Sequence, residues 1–495
     1  MGYIKYQIEE KEVNFGDGNW YYTGEKRISD TIAGRYLDSG SCENEGETCY
    51  KLINRYNDGR THAIRYDGYA FNSDISRNEF YPQTSMDSAF LNSNMTSAVI
   101  GDCATCLDDI SNNNIPYATS LSSLTIGKNV VYIGNNFFNN CYSLTNLSLP
   151  TKLLTIGSSS FAHCSGLTSI DIPDSVVTIG DNAFAACTSL SSVTIGSGVT
   201  NINTSAFTNC PAITRVTINT NYISTAFSGK TSIQTITIGD GVSRINNYAF
   251  SRCSGLTSID MPDSLLIIGE GAFNGCSGLP SIDIPDSVIS IGRSAFEECR
   301  SLSSITIGNG VTFIDARAFL GCNSITNLSI DCNAAAKSDI FPNKGILQTL
   351  VIGDNVTSIG NSAFRHCSGM TSCTIGTGVT SIGNYAFASC YALTSIDIPD
   401  SVVTIGKNAF AACSGFTSVT IGSGIESFGE YAFWNCIRLT SVTVNAVTPP
   451  ELGDYHVFVN TNNCPIYVPA QSVDAYKSAE RWSDYADRIQ PIPDS

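Results

Sequence analysis

Cysteine is the residue type whose number and spacing could carry chemistry in this chain. Of the 19 cysteines, twelve recur in steps of 23 residues, in three groups that begin at Cys141, Cys253 and Cys367. Thiols can form disulfides, bind zinc or act as nucleophiles. Each repeated cysteine has an equivalent neighbour on both sides, so the spacing offers no unique disulfide pairing. We predict a ladder of reduced, buried thiols, because free Cys packs like a small apolar residue. Reduced thiols favour synthesis in a reducing compartment.

A second cysteine pattern precedes this ladder. Cys103 and Cys106 form a CxxC pair, and Cys42 and Cys49 lie upstream. Four thiolates could bind zinc, and the same residues could form one or two disulfides. A single CxxC is a weak signal, and the two pairs are far apart in sequence. Free thiols are the favoured interpretation, and we expect no metal and no cofactor.

The histidines do not form a catalytic pattern. His163 and His366 occupy the same position in the repeat, directly before the cysteine. Their spacing therefore follows from the repeat and does not indicate a catalytic site. The sequence contains no HExxH, GxSxG, P-loop or EF-hand pattern. These observations predict a protein that is not an enzyme.

The cysteine ladder belongs to a longer repeat. A phenylalanine precedes each of the twelve cysteines by three residues, from Phe138 to Phe433. Phe227 and Phe341 mark two coils that lack the cysteine, and Phe90 suggests a divergent coil upstream. Residues 164–187 read CSGLTSIDIPDSVVTIGDNAFAAC, and residues 390–413 differ from them at three positions. Near-identical tandem copies are typical of a one-dimensional stack of coils.

One coil can be interpreted residue by residue. Residues 167–172 alternate apolar and polar side chains, which predicts a strand with one buried face. Pro173–Ser175 predicts a turn in which Asp and Ser bond nearby backbone. Val177 and Ile179 predict a second short extended segment. Residues 182–184 are expected to bring a small side chain and a large ring inward. One coil cannot bury its apolar side alone, so the core must form between stacked coils.

This unit, written LxxIxIPxxVxxIGxxAFxxC, resembles the repeat of the BspA-like leucine-rich repeat family over about residues 86–447. The resemblance implies a β-rich, right-handed leucine-rich-repeat solenoid of about 15 coils. It also implies a β-sheet on one face and a second row of short strands or turns on another. Members of this family are commonly surface proteins that bind host proteins, other cells or matrix.

The segment after the repeats, residues 448–495, looks like the C-terminal capping segment of Bacteroidetes members of the family. Ile466 and Val468 predict a last strand. Ser472 is expected to N-cap a helix over about residues 472–488, which carries Val473, Tyr476, Trp482 and Tyr485 toward the coils.

Residues 1–85 show no repeat and are rich in Tyr, Gly, Asp and Asn. We predict a small β-rich domain with turns at Asp17–Gly18 and Asp58–Gly59. Two roles are open for this domain: it attaches the coils to another structure, or it covers their N-terminal end.

Composition excludes several classes of partner. The net charge is −17, and 14% of residues are charged against 42% apolar. An acidic chain is unsuited to nucleic acid and to anionic membrane surfaces. No apolar run reaches the roughly 18 residues of a membrane span, so we expect no membrane insertion. The first 20 residues also lack an apolar signal segment.

The outward face of the main strands is the candidate site. Its central positions carry hydroxyls and carboxylates at the coil spacing, suited to an extended protein segment or a glycan. An alternative is that Thr and Ser are there because they suit strands, and Asp for solubility. The candidate residues are Asp171, Thr194, Thr217, Thr237, Asp260, Asp283, Thr306, Thr374, Asp397 and Thr420.

Three functions fit the sequence. The first is a recognition or adhesion protein on a bacterial surface, binding a protein or glycan of a cell surface; it requires a signal that has been removed. The second is a virus or phage-tail-like component made in the cytoplasm, which docks to the particle through residues 1–85. The third is a rigid structural spacer.

Overall fold

The computed structural model describes five strands between residues 12 and 66, and residues 96–100, 106–107, 109, 118–337 and 340–493. For the five N-terminal strands only the backbone is described. The chain forms two compact units, Met1–Phe227 and Ser228–Ser495. Together they contain about 16 turns of parallel β-solenoid, against the 15 coils predicted.

Each regular coil contributes one strand to the main sheet. Neighbouring strands pair in parallel without offset, so that Asp171 lies beside Thr194 and Asp397 beside Thr420. In the first unit the strands are Ser97–Val99, Ser123–Thr125, Ser169–Ile172, Ser192–Ile195 and Arg215–Ile218. In the second unit they are Thr235–Ile238, Ser258–Asp260, Ser281–Ile284, Ser304–Ile307, Asn327–Ile330, Thr349–Ile352, Ser372–Ile375, Ser395–Ile398, Ser418–Ile421, Ser441–Val444, Ile466–Val468 and Ile489–Pro491.

A second row of two-residue strands runs along each unit. In the first unit these are Cys106–Leu107, Tyr132–Ile133, Thr155–Ile156, Thr178–Ile179 and Asn201–Ile202. In the second unit they are Arg244–Ile245, Ile267–Ile268, Ser290–Ile291, Phe313–Ile314, Ser358–Ile359, Ser381–Ile382, Thr404–Ile405, Ser427–Phe428 and Glu451–Leu452.

The predicted second extended segment is therefore confirmed, with one correction. Val177 is 41% exposed, whereas Val176 and Ile179 are fully buried. The strand Thr178–Ile179 is too short to carry the alternation back to Val177. Val176 is therefore the inward-facing valine of this segment.

The core is a stack of phenylalanine rings inside the coils. Phe184 is fully buried between Phe161 and Phe207, with ring centroids 5.4 Å apart on both sides. Ala183 is also fully buried, as predicted. Because each ring contacts its equivalents in the adjacent coils, stability depends on neighbouring coils.

The turns interlock between coils. Asp174 Oδ1 accepts a hydrogen bond from Ser197 N at 2.8 Å, and Ser175 Oγ donates to Leu153 O at 2.7 Å. These side chains bond adjacent coils, not their own turn as predicted. A Cβ on Gly198 would lie 2.0 Å from Asp174 O, so this close approach requires glycine. Of the four PDS turns within the coils, those that begin at Pro173, Pro285 and Pro399 are followed by a coil with a Gly-x-Gly turn, whereas the one at Pro262 is followed by a second PDS turn.

A longer period of five coils underlies the 23-residue repeat. Cys141, Cys253 and Cys367 open equivalent groups 112 and 114 residues apart. Within the second unit the main sheet is interrupted between Ser258–Asp260 and Ser281–Ile284, and again five coils later, between Ser372–Ile375 and Ser395–Ile398. At the first interruption Pro280 has no N–H to donate to the preceding strand. The structural period is thus about five coils.

The N-terminal strands are antiparallel, as a β-rich domain predicts. Glu12–Asn14 pairs with Trp20–Tyr22, and Gly34–Ser41, Thr48–Arg55 and Thr61–Tyr66 form a meander. The last of these pairs with Ser97–Val99 through Arg65 and Val99. The predicted turns at Asp17–Gly18 and Asp58–Gly59, and Phe90, lie outside the described residues.

The C-terminal segment covers the last coils with aromatic rings. The strand Ile466–Val468 is confirmed. Tyr476, Trp482 and Tyr485 are buried, as predicted, and Val473 is half-buried. Trp482 Nε1 donates to Pro450 O at 2.7 Å, and Tyr476 Oη donates to Ala446 O at 2.8 Å. These bonds tie the segment to the coil that it covers.

The single helix predicted over residues 472–488 is wrong. The structure has 3₁₀ turns at Ala470–Ser472 and Trp482–Arg488 around an α-helix of only six residues, Val473–Ser478. Arg481 has φ 64°, a left-handed conformation that ends helical continuity. Ser472 makes no capping hydrogen bond, because its backbone is already helical and its hydroxyl is buried. No helix among the described residues is long and apolar enough to cross a membrane.

Candidate binding surface of the main sheet

The central row of the main sheet consists of ten outward-facing residues, each from a different strand. Each lies between two inward-facing positions, and each is exposed or half-buried. The structure therefore places all ten predicted site residues on the outward face. Ser148, the equivalent position in an earlier coil, is not part of a strand. The central row consists of Asp171, Thr194, Thr217, Thr237, Asp260, Asp283, Thr306, Thr374, Asp397 and Thr420.

Strand register brings these residues together in short groups. Asp171, Thr194 and Thr217 lie side by side in the first unit. In the second unit Asp283 lies beside Thr306. Adjacent strands are ~4.8 Å apart, so each group presents neighbouring carboxylate and hydroxyl oxygens. The interruptions of the main sheet separate the groups in the second unit.

Beside the central row lies a row of hydroxyl side chains, which we call the structural row. Sequence analysis missed its structural role. Ser191 Oγ donates to Thr168 O at 3.0 Å, and Thr440 Oγ1 donates to Thr417 O at 2.9 Å. The same bond recurs in other coils, from Thr257 to Gln234 O for example. These hydroxyls extend the backbone ladder by one bond per coil. The signal was available, because a Thr or Ser follows the inward Leu in most coils.

The central row differs from that structural row in its hydrogen bonds. Across the part of the chain that the structure describes, no side chain of the central row hydrogen-bonds to another group of the protein. Asp171, Asp260, Asp283 and Asp397 are all exposed. Their oxygens are therefore available to a partner.

The face around the central row is polar. The main-sheet strands from Ser169 to Val444 contain no aromatic residue. Val351, at 39% exposure, is a large apolar side chain on this face. Recognition here would rest on hydrogen bonds and charge.

The repeat thiols do not contribute to this surface. They are reduced and buried, as predicted, and Cys187 Sγ donates to Phe161 O at 3.3 Å. Burial raises the pKa of Cys253 to about 12 and also raises that of Cys187. A buried neutral thiol is neither a nucleophile nor a good metal ligand. The ladder is a packing element.

The remaining residues that the sequence analysis considered for chemistry are two histidines and four cysteines outside the repeat. His163 and His366 share one left-handed backbone position, with φ 62° and 63°, which confirms a repeat position. Cys49 and Cys106 lie in strands, but their side chains, like Cys42 and Cys103, lie outside the described residues. The zinc, disulfide and free-thiol interpretations of those four residues stay predictions.

Comparison with known sequences decides the family. The profile of the BspA type leucine rich repeat region, which spans six copies, matches residues 108–225, 221–344 and 335–464. The chain belongs to the BspA-type leucine-rich-repeat family. The three matches follow the five-coil period, one for each group of four cysteines. No curated protein matches the chain.

Solved structures of other leucine-rich-repeat proteins are similar to this BspA-type chain. One from Bacteroides ovatus is 24% identical, with 85% of this chain and 94% of that one covered and a TM-score of 0.37. A leucine rich cell surface protein from Faecalibacterium prausnitzii is 24% identical, with 82% and 95% covered and a TM-score of 0.23. One from Eubacterium ventriosum is 20% identical, with 65% and 90% covered and a TM-score of 0.28.

Proposed function

We propose that this BspA-type protein is a non-enzymatic recognition protein that holds a protein partner on the central row of its main sheet. The observation that carries the proposal is the contrast between two rows of polar side chains. The structural row uses its hydroxyls within the stack, as Ser191 and Thr440 do. The central row is exposed and makes no such bonds among the described residues.

The chemistry of the face favours a protein segment over a sugar. An extended peptide can place donors at the strand spacing, and the four carboxylates suit Lys, Arg or hydroxyl side chains. The face lacks aromatic rings on which sugars could pack. A segment with alternating side chains would follow the row across several coils.

We further propose that the chain is displayed outside a bacterial cell, in keeping with its family. Residues 1–85 form an N-terminal domain, residues 86–447 the coils, and residues 448–495 the cap. In this arrangement the N-terminal strands cover the first coils or attach them to a support. Reduced thiols favour synthesis in a reducing compartment, but inaccessible neutral thiols resist oxidation and are therefore compatible with display outside the cell.

Charge reversal of the central row tests the proposal. In the variant Asp171→Lys, Asp260→Lys, Asp283→Lys and Asp397→Lys, stability should change little, by about 0.5 kcal/mol per site at most. Binding of the fluorescently labelled chain to a panel of purified matrix proteins and to intact cells should fall at least tenfold. Binding by the parent should also weaken between 50 and 500 mM salt.

A charge-matched control separates the site from net charge. Asp181, Glu451, Asp484 and Asp487 are exposed and lie outside the strands of the main sheet. Replacing these four with Lys should leave binding unchanged. The proposal fails if the control loses binding and the central-row variant does not. It also fails if deletion of residues 1–85 alone abolishes attachment.

A further inference from the structure

A different surface of the second unit carries paired aromatic rings. Tyr385, Asn408 and Tyr431 occupy the same left-handed position in three consecutive coils, with φ 57°, 55° and 59°. Tyr385 N donates to Lys407 O, and Asn408 N donates to Glu430 O, both at 2.8 Å. Because the three backbones are alike and stacked in order, their Cα–Cβ bonds point the same way. A short Asn between two rings leaves a gap.

Both rings are supported on their outer faces. The guanidinium carbon of Arg365, from the preceding coil, lies 5.1 Å over the Tyr385 ring. His456, from the following coil, stacks on Tyr431 at 4.6 Å and 12°. Asp454 Oδ2 holds His456 Nδ1 at 3.0 Å. Among the described residues, neither tyrosine has a second ring or cation stacked on it, so one face of each is left for a ligand in the gap.

The width of the gap follows from the coil spacing. In the same coils, the buried rings of Phe387, Phe410 and Phe433 follow one another at 5.2 and 5.1 Å. Two coil steps thus place Tyr385 and Tyr431 roughly 10 Å apart, twice the strand spacing. A group in the middle would lie ~5 Å from each ring centre, within the range of aromatic contacts.

Small residues lie beneath this gap. Ala388 and Ala411 are buried at the repeat position where the flanking coils carry Arg365 and Trp434. Trp434 is 36% exposed and meets Tyr431 edge-on at 6.3 Å. Larger side chains therefore stand on both sides of a shallow depression. We call it the aromatic trough; it is formed by Arg365, Tyr385, Ala388, Asn408, Ala411, Tyr431 and Trp434.

Polar groups stand at the rim of the aromatic trough. Lys407 Nζ and Glu430 Oε2 form an ion pair at 2.5 Å, and both side chains are about half exposed. The hydrogen bond to Glu430 raises the pKa of Lys407, which keeps its ammonium charged. Together with the amide of Asn408, the rim offers both donors and acceptors.

We propose that the aromatic trough binds one neutral sugar ring of a glycan. A flat aromatic group between two rings needs only ~7 Å, about 3.5 Å on each side, and would be loose here. A puckered sugar ring is thicker and presents C–H groups on both faces, so it fits a gap of roughly 10 Å. A cation would also suit two π faces, and the competition experiment below separates it from a sugar. Sugar hydroxyls would meet Lys407, Glu430 and Asn408.

The test uses neutral sugars as probes. Saturation-transfer NMR with methyl glucoside, galactoside and mannoside, and gel retardation by starch, galactomannan and β-glucan, should reveal binding by the full chain. Asn408→Tyr fills the gap with a residue type that already occupies this backbone position at 385 and 431. It should weaken binding at least tenfold, and Tyr431→Ala should do the same.

Tyr248→Ala is the matched control. Tyr248 has φ 56° and 43% exposure at the equivalent position, but the next two coils carry Gly271 and Ser294, so it has no facing ring. Its replacement should leave sugar binding unchanged, as should charge reversal of the central row. The proposal is overturned if none of these sugars binds or if Asn408→Tyr binds as the parent does. It is also overturned if arginine methyl ester displaces every sugar, because the trough is then a cation site.

Discussion

The coil of residues 164–187 differs from the coil of residues 322–341 in how it bonds to the next coil. Both coils place a phenylalanine in the core. The first coil forms two strands, Ser169–Ile172 and Thr178–Ile179. In the described part of the second coil, Asn327–Ile330 is not followed by a second strand. There Asn333 Oδ1 accepts from Thr357 N at 2.9 Å, and Ala336 O accepts from Gly360 N at 2.8 Å. A side-chain amide thus replaces part of a backbone ladder, because buried backbone groups must be paired.

We expect the cysteine-bearing coils to respond to alkali more strongly than the two coils that lack the repeat cysteine. Burial raises the pKa of Cys253 to about 12 in the folded chain, whereas an unfolded thiol ionises near ~8.5. The unfolded state therefore loses protons first, and stability falls as pH rises from about 9 to 12. Each such thiol contributes ~1.4 kcal/mol per pH unit to the loss.

Urea unfolding at pH 8, 9 and 10 measures this slope. The parent should show a steep decline, since several thiols act together. Cys253→Ala should make the slope shallower by about one thiol, ~1.4 kcal/mol per pH unit. A slope unaffected by this change would mean that the thiol ionises equally in both states.

Removal of a core ring compares the two kinds of coil directly. Phe184→Ala should destabilise the protein by ~3–5 kcal/mol, because it leaves a cavity between two stacked rings. Phe341 is 7% exposed and tilted by 32° against Phe319. Phe341→Ala should therefore cost less. Hydrogen exchange should show loosening in the coils on both sides of residue 184, and unchanged exchange there would contradict the stacking argument.

The amide of Asn333 offers a smaller test. Asn333→Ala removes the acceptor for Thr357 N and Ser358 N and should cost about 1 kcal/mol. Asn201→Ala is a suitable control, because Asn201 is exposed in a regular second strand. Its replacement should change the free energy of unfolding by less than ~0.5 kcal/mol. Equal effects at the two positions would show that Asn333 does not substitute for the missing strand.

The smallest expected effect concerns left-handed backbone positions. Ala186 and Ala412 both have φ 57°, whereas Gly275 and Gly321 occupy the equivalent positions in other coils. Ala186→Gly should stabilise the protein by roughly 0.5–1 kcal/mol, and Gly275→Ala should destabilise it by a similar amount. Differential scanning calorimetry would resolve both shifts. A lower melting temperature for Ala186→Gly would contradict the strain argument.

Much of the fold could be predicted from the sequence, because the Phe–Cys spacing and the alternation around Ile170 are local patterns. The outward placement of the central row followed from the same alternation. The interlocking of Asp174 with Ser197 could not be predicted, since it joins residues 23 positions apart. The spacing of the cysteine groups indicates the five-coil period. Only the structure shows that the main sheet is interrupted with the same period.

The aromatic trough was also beyond sequence reasoning. Its tyrosines are 46 residues apart, and only the stacking of coils sets Tyr385 and Tyr431 on either side of Asn408. The helix break at Arg481 depends on how the cap packs against Pro450 and Leu452. Both features arise from contacts between coils, which a repeat pattern does not specify.

Site-specific photo-crosslinking tests the central claim, recognition on the main sheet, most directly. A photoreactive amino acid at Thr306 lies in the central row, and one at Asn201 lies on the exposed second strand row. With a partner from the binding panel present, we predict a crosslink from position 306 and none from position 201. A crosslink from position 201, or one formed only from residues 1–85, would contradict recognition on the main sheet.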